Sequence, residues 1–263
     1  MKLKCPLCSK ELIKEEKTYS CLCGHSFDIS KEGYTNLLMK QSRKEFGDSV
    51  MQVNARRNFF ATDPYRPLKE RVAEVLKSLS TETIVDSGCG EGYYTNYIQS
   101  QLPQIDVFGL DISKEAVRLA SRHSKANYFV ASNQALPFYD KSIETLLNMF
   151  APIDEKECAR VLKDDGSFVT VQVGADHLLG LKKALYDDVY FNEVNYLQSE
   201  FSLSESEKID FTIHLNSQKE IQDLFHMTPY YYHTSRASKE KLEKLEELDT
   251  LCSFVLQIYH KKK

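Results

Sequence analysis

From Thr83 onward, the chain alternates short apolar runs with amphipathic stretches. TIVDS, DVFGLDIS, ANYFVAS, SIETLLNMF and GSFVTVQV predict five strands, the last one after a turn at Asp165 and Gly166. YYTNYIQSQL, KEAVRLASRHS and an acidic stretch around Asp154–Leu162 predict the helices between them. Such alternation predicts an α/β fold with a parallel sheet and right-handed crossovers. Two later runs, DFTIHL and CSFVLQIYH, predict an antiparallel pair that completes the sheet.

The start of the chain lacks this pattern and concentrates metal-ligand residues instead. Cys5 and Cys8 form a Cys-x2-Cys pair, and Cys21 and His25 form a Cys-x3-His pair twelve residues later. Each pair can direct two ligands at one zinc ion, and SKELIKEEKTYS between them can form a β-hairpin. Cys23 is the alternative to His25, although Cys-x-Cys makes a strained chelate. Because so short a segment cannot fold by apolar burial alone, zinc would supply the missing stability.

Composition and charge narrow the class of protein. The 263 residues are 42% hydrophobic and 27% charged, and four of the seven cysteines lie at the start, which favours metal ligation over disulfides. The sequence has neither a membrane-spanning apolar run nor a signal-peptide pattern, so we expect a cytoplasmic protein without a membrane partner. Residues 1–71 carry 14 Lys and Arg against 9 Asp and Glu, whereas the remainder carries 20 against 29. A polyanion would therefore bind the basic head.

The turn after the first predicted strand holds three glycines, Gly88, Gly90 and Gly92. Glycine turns alone are a weak signal, but Asp86 precedes this one and Asp111 ends the next strand. An acid at the position of Asp111 suits ribose hydroxyls, and an acid at the position of Asp86 suits a cationic amino group. A dinucleotide site would require Gly-x-Gly-x-x-Gly, so this spacing favours S-adenosylmethionine (SAM) over NAD. The alternative role for Asp111, a helix cap, falls more naturally to Ser113.

These features resemble the RlmA family of 23S rRNA guanine-N1 methyltransferases along the whole chain. The stretches that carry the resemblance are CPLC, FDISKEGYTNLL, GDSVMQVNARRNF, YRPL, SGCGEGYYT, GLDISKEA, VASNQALPF, FAP and HLLGLKKALY. The resemblance implies a Rossmann-like class I methyltransferase with a small N-terminal zinc-binding domain, working as a homodimer. It also implies that the target is N1 of a guanine in a domain II hairpin loop of 23S rRNA. The family has one branch for each of two nearby guanines, and its Gram-positive branch is linked to resistance to tylosin-type macrolides.

The resemblance also implies which residues of this chain bind zinc and SAM, by their positions in the matching stretches. It places the zinc ligands at Cys5, Cys8, Cys21 and His25, and SAM contacts at Tyr65, Gly90, Glu91 and His177. Where many methyltransferases have an acid that contacts adenine, this chain has Ser132 and Asn133, which we include in the predicted SAM site.

No carboxylate follows the fourth predicted strand as an obvious catalytic base. Guanine N1 must lose its proton, so a base or a hydrogen-bond donor should assist. The candidates are Asn148, Asp176 and His177, together with the Phe150–Pro152 turn, each of which can equally be ordinary packing.

The remaining predictions concern RNA. We expect residues 1–45 to form a zinc-binding RNA-recognition module, 46–75 a helical linker, and 76–263 the methyltransferase domain. Arg43, Lys44, Arg56 and Arg57 would hold phosphates, although the last two could instead pair with acids of the body. TPYYYHTSR and GYYT are candidate platforms for a flipped base, with core packing favoured for Tyr93 and Tyr94. The rival interpretations are a small-molecule methyltransferase with a structural zinc site and a non-catalytic RNA-binding zinc protein.

Overall fold

A computed structural model describes residues 2–39, 49–122 and 124–262. Its centre is an eight-stranded sheet in the order β11-β12-β10-β9-β6-β7-β8-β5. The strands are β5 (Tyr34–Asn36), β6 (Thr83–Ser87), β7 (Asp106–Asp111), β8 (Asn127–Val130), β9 (Ile143–Met149), β10 (Leu162–Val173), β11 (Phe201–Leu215) and β12 (Leu248–Lys261). The pairs from β5 to β10 are parallel, whereas β12 pairs antiparallel with β10 and β11. This confirms the predicted parallel sheet with a late antiparallel pair.

Helices cover both faces of the sheet. They are α1 (Val50–Ala61), α2 (Arg66–Ser78), α3 (Tyr93–Gln101), α4 (Lys114–Ala120), α5 (Glu155–Val161), α6 (Leu179–Leu185), α7 (Gln218–Met227), α8 (Tyr230–His233) and α9 (Arg236–Leu242). Neighbouring residues of a central strand enter opposite cores: Ile84 packs with α2 and α3, and Val85 packs on the α5 face. Burial on both faces explains why the central strands are continuous apolar runs.

The N-terminal segment forms a small four-stranded sheet of its own. Its strands are β1 (Leu3–Lys4), β2 (Glu11–Lys14), β3 (Thr18–Ser20) and β4 (Ser26–Asp28), paired in that order. β2 and β3 pair antiparallel, with Ile13 opposite Ser20, which confirms the predicted hairpin. We call residues 3–28 the ribbon.

The ribbon is joined to the main sheet by packing and by backbone pairing. Its apolar residues share one core with the α5 face of the sheet, where the Tyr19 ring meets the Phe129 ring edge-on at 5.6 Å between centroids. Leu3 forms a β-bridge with Phe138. Beyond the ribbon, β5 adds to the sheet edge, with Tyr34 opposite Tyr128 in parallel register. The domain boundary predicted at residue 45 lies outside the described residues.

One local prediction needs correction, and one segment contains helices that the sequence did not predict. The turn predicted at Asp165 and Gly166 is part of β10, where a register shift between Leu162 and Ser167 absorbs the extra residues without ending the strand. The segment between the two late strands carries α7, α8 and α9, which the sequence did not predict.

Candidate functional site: a zinc cluster and a cavity at the carboxyl edge of the sheet

Cys5, Cys8, Cys21 and His25 converge at one end of the ribbon. Their candidate ligand atoms all lie within 4.8 Å of one another, as four ligands of a single tetrahedral ion would. Cys21 Sγ lies 3.5 Å from His25 Nδ1 and 3.6 Å from Cys8 Sγ. The turn between Cys21 and His25 contains Gly24 at φ +82°, a conformation that favours glycine. Cys23 is exposed and lies outside this group.

The donor chemistry suits zinc. Although burial opposes it, backbone N–H groups of His25 and Cys23 lower the pKa of Cys21 to about 6. A thiolate is the form that ligates a metal. The four residues therefore fit a structural zinc ion, with Cys23 as a bystander.

A cavity of about 820 Å³ opens at the carboxyl ends of β6, β7 and β9. Ligand sites of open α/β sheets lie at this edge, and the volume is typical of a small-molecule site. Nine of the ten residues predicted to bind the cofactor line it: Tyr65, Asp86, Gly88, Gly90, Glu91, Asp111, Ser132, Asn133 and His177.

The tenth residue, Gly92, has a different role. It caps the start of α3 at φ +84°, and a Cβ there would come within 2.9 Å of Ala120 and of the Tyr128 hydroxyl. The glycine is therefore explained by its backbone conformation and by close packing against α4 and β8 rather than by a position on the cavity wall.

Gly88 and Gly90 shape the wall of the cavity with their backbone. Gly88 has φ +97°, and a Cβ there would come closer than 3.0 Å to the Cβ of Ala151. Gly90 has φ +54° and donates its N–H to Asp111 Oδ2 at 3.0 Å. The other oxygen of Asp111 accepts from the Ser113 N–H at 2.8 Å. Asp111 thus braces the glycine loop while facing the cavity, and Ser113 caps α4 as predicted.

Asp86 is buried beneath the same loop. Its Oδ2 accepts a 2.6 Å hydrogen bond from Thr95, but Oδ1 has no partner among the described residues. Burial raises the pKa of Asp86 to about 7, Thr95 opposes the rise, and the charge of Asp111 adds to it. A buried acceptor that faces a cavity without a partner suits a ligand that brings a positively charged donor. The Tyr94 hydroxyl, on the same cavity, also lacks a hydrogen-bond partner within the described residues.

The three weak catalytic candidates occupy different environments. His177 lines the cavity, but its Nδ1 faces the Ser253 N–H at 3.3 Å, and burial together with the charge of Lys182 lowers its pKa to about 3. Asn148 is buried behind the wall, where its amide donates to the Ser87 carbonyl at 3.0 Å. Asp176 lies outside the cavity lining and pairs with Lys208 at 3.6 Å. Asn148 is therefore not among the residues that line the cavity, and its amide is bound to Ser87 of β6.

The arginines predicted to hold phosphates have separate roles. Arg56 lines the cavity, with one guanidinium nitrogen 3.9 Å from Glu91 Oε2, so the alternative of pairing with the body applies to it. Arg57, the next residue of α1, is exposed. Arg43 and Lys44 lie outside the described residues.

The residues of the two aromatic runs, GYYT and TPYYYHTSR, lie in different environments. Tyr93 stacks on Phe60 at 4.0 Å between ring centroids, and Tyr94 is buried, as the packing interpretation predicted, and both also line the cavity. From the later run, Thr228, Pro229 and Tyr230 line the cavity, whereas Tyr232 is exposed.

Sequence reasoning missed several residues of the wall. Asp154 lines the mouth, and the sequence offered it only as a helix start; its Oδ1 does cap α5 by accepting from the Glu157 N–H at 3.2 Å. Phe150 precedes it at φ +60° and also lines the cavity, and the sequence did propose it as part of the Phe150–Pro152 turn. Asn192 belongs to a segment without helix or strand, so no periodic pattern pointed to it.

Comparison with known proteins identifies the family. Residues 3–44 match the zinc-ribbon family model described as "RlmA, N-terminal", and residues 84–166 match a methyltransferase domain. The 23S rRNA (guanine(748)-N(1))-methyltransferase of Streptomyces fradiae is 34% identical over 189 residues, covering 70% of this chain and 67% of the relative. The chain belongs to the 23S rRNA (guanine-N1)-methyltransferase family. YxjB of Bacillus subtilis (strain 168), a candidate member, is 29% identical over 266 residues and covers 93% of this chain and 91% of its own.

Membership confirms the predicted enzyme class and cofactors: this rRNA (guanine-N1)-methyltransferase is SAM-dependent and carries a zinc ribbon. A candidate type II methyltransferase of Anaeromyxobacter dehalogenans superposes with a TM-score of 0.52 at 16% identity, over 73% of this chain and 94% of its own, and shows the fold alone. Within the described residues, every helix is too short or too polar to cross a membrane. The residue-level assignments of the cofactor sites remain predictions.

Proposed function

We propose that this chain transfers the methyl group of SAM to N1 of a guanine in a domain II hairpin loop of 23S rRNA, in the macrolide-binding region. The observation that carries the proposal is the zinc ribbon packed onto the sheet whose carboxyl edge holds the cavity. The relative from Streptomyces fradiae is named for guanine 748, so that guanine is the first target to test. We further propose a homodimer, on the family resemblance.

The residues of the cavity fit SAM. Bound SAM supplies a methyl group on a sulfonium, which is already activated, so the protein has chiefly to position donor and acceptor. Gly88 and Gly90 leave room for a close approach of the ligand to the backbone. Asp111 would accept from ribose hydroxyls, and Asp86 Oδ1, with no partner in the described chain, would accept from the amino group. Ser132 and Asn133 would face the adenine.

The acceptor side of the cavity is aromatic. Phe150, at φ +60°, keeps 44% of its surface exposed, and Tyr230 also lines the cavity. A guanine that leaves its stack is held by such faces, and a non-glycine residue at positive φ marks a turn that is fixed by its surroundings.

The proton released from guanine N1 needs an acceptor near this turn. His177 is a poor base, because its pKa lies at about 3 and its Nδ1 accepts from a backbone N–H. Asp154, four residues after Phe150, is an exposed carboxylate at the mouth of the cavity and uses one oxygen to cap α5. We assign the proton-accepting role to Asp154.

The test is methylation of a transcribed hairpin by the purified protein with SAM, followed by primer extension. N1-methylguanine blocks Watson–Crick pairing, so the transcript should give one new stop, next to the guanine equivalent to 748. A transcript with adenine at that position is the matched control and should give none. Asp154→Asn keeps an oxygen for the helix cap and should slow methylation without weakening SAM binding. Transfer to small acceptors but not to the hairpin would refute the proposal in favour of a small-molecule methyltransferase.

A further inference from the structure

Lys182, on α6, is a buried lysine that the proposed function has not used. It is 1% exposed, and its ammonium donates to the Tyr190 carbonyl at 3.0 Å and to Asn192 Oδ1 at 3.1 Å. The ammonium also lies 5.2 Å from the ring centroid of Tyr190 and 5.8 Å from that of Tyr230. Every one of these partners is a neutral group.

The ammonium has no carboxylate partner among the described residues, since none of their ion pairs includes Lys182. Asp176 acts on it electrostatically, but that carboxylate pairs with Lys208. Burial of a charge that neutral groups alone compensate is costly, so its presence points to a negative charge that arrives with a ligand.

The position of Lys182 relative to the cavity indicates where that negative charge would lie. Asn192 and Tyr230, which contact the ammonium, both line the cavity. His177 lines it too, and the charge of Lys182 contributes to lowering its pKa. The positive charge therefore stands one side chain behind this part of the wall.

The charge balance of the cavity makes this position significant. Its described lining includes four acids, Asp86, Glu91, Asp111 and Asp154, and Arg56 as the cationic side chain, which already faces Glu91. A ligand that carries a carboxylate would meet a mostly negative wall. Lys182 supplies positive charge to the side formed by His177, Asn192 and Tyr230.

We propose that Lys182 complements the α-carboxylate of SAM through this part of the wall and so positions the amino-acid end of the cofactor. The inference rests on the proposed binding of SAM in the cavity. At the effective dielectric of a partly buried site, attraction between unit charges one side chain apart amounts to roughly a tenfold change in affinity or more.

The experiment compares the affinities of SAM and of decarboxylated SAM, which lacks the α-carboxylate, by calorimetry. The full chain should bind SAM at least about tenfold more tightly than the decarboxylated compound. Lys182→Met keeps an unbranched side chain but removes the charge, and should lose most of that preference while binding decarboxylated SAM as the wild type does. Lys183→Met, at the exposed neighbouring position, is the matched control and should retain the preference.

The outcomes separate the two proposals. If the wild type binds neither compound, the proposed SAM site fails. If it binds both equally, or if Lys182→Met keeps the wild-type preference, only the role of Lys182 is overturned. A preference lost in Arg56→Met but not in Lys182→Met would assign the carboxylate to Arg56 instead. Should Lys182→Met not fold, Lys182→Gln removes the charge but keeps a donor for the Tyr190 carbonyl and Asn192 Oδ1, and it should also lose the preference; a wild-type preference in this variant would overturn the role of Lys182.

Discussion

Substitution of Gly88 by alanine tests whether the glycine loop is shaped for a ligand. Gly88 has φ +97°, and its new Cβ would come closer than 3.0 Å to the Cβ of Ala151, a distance that real Cβ atoms essentially never show. A left-handed conformation costs a non-glycine residue about 1–2 kcal/mol, and overpacking adds about 1–3 kcal/mol. We therefore expect the free energy of unfolding to fall by roughly 2–5 kcal/mol.

Two further variants divide this loss into its parts. Gly33 has φ +100° but its Cβ would lie 3.9 Å from the nearest atom, so Gly33→Ala carries the conformational cost without the clash. Ala151→Gly, added to Gly88→Ala, removes the atom that clashes. The remaining neighbours of the new Cβ are then Asn133 Nδ2 at 3.6 Å and the Cα of residue 151 at 3.8 Å, which are ordinary contacts.

Chemical denaturation and SAM titration by calorimetry provide the measurements. Gly88→Ala should weaken SAM binding strongly, because relief of the clash moves the loop or the turn after β9. The double variant should regain much of the affinity and of the stability, whereas Gly33→Ala should lose only about 1–2 kcal/mol and bind SAM normally. Equal losses in Gly88→Ala and Gly33→Ala, or no recovery in the double variant, would refute this reasoning.

Four other predictions follow from the sites. His25→Ala should release zinc and Cys23→Ala should retain it, measured as zinc bound per chain. Loss of zinc in Cys23→Ala with retention in His25→Ala would make Cys23 the fourth ligand in place of His25. Asp111→Ala should weaken SAM binding by about 1–3 kcal/mol in calorimetry, because the ribose hydroxyls would lose their acceptor; the glycine loop also loses two hydrogen bonds that shape it. The pKa of Asp86 is raised from 3.8 to about 7 in the folded protein, so between these pH values the folded protein binds a proton that the unfolded chain has lost. The contribution of Asp86 to the free energy of unfolding should therefore fall as pH rises through this range. Asp86→Asn should flatten this slope in denaturation curves. Arg57→Ala should reduce hairpin affinity and lower its salt slope by about one, with SAM affinity unchanged; an unchanged slope would remove Arg57 from the RNA surface.

The parts of the fold that depend on local pattern were predictable. Continuous apolar runs gave β6 to β10, because these strands are buried on both faces. The ligand spacing around Cys5 and Cys21 predicted the metal cluster, because short chelating turns have few alternative geometries. Ser113 was predicted as a cap, since its position before an amphipathic run is sufficient to identify it.

The parts that depend on distant partners were not predictable. β5 has three residues, and only the edge of β8 makes them a strand. Asn192 and Tyr230 reach the cavity from segments after β10 and α7 whose placement depends on tertiary packing, including the buried ammonium of Lys182. Asn148 was a catalytic candidate from its position at the end of the fourth predicted strand, but the partner of its amide on β6 could not be inferred from spacing.

The attachment of the ribbon to the sheet has a consequence for target choice. Because the Leu3–Phe138 bridge and the contact between Tyr19 and Phe129 attach the ribbon to the sheet, these contacts set the distance between the ribbon and the glycine loop. An RNA held by the ribbon would therefore present to the methyl donor the nucleotide that lies at this distance from the contacts with the ribbon. Selection among neighbouring guanines would then depend on the shape of the hairpin, and lengthening its stem by one base pair would change which base is reached.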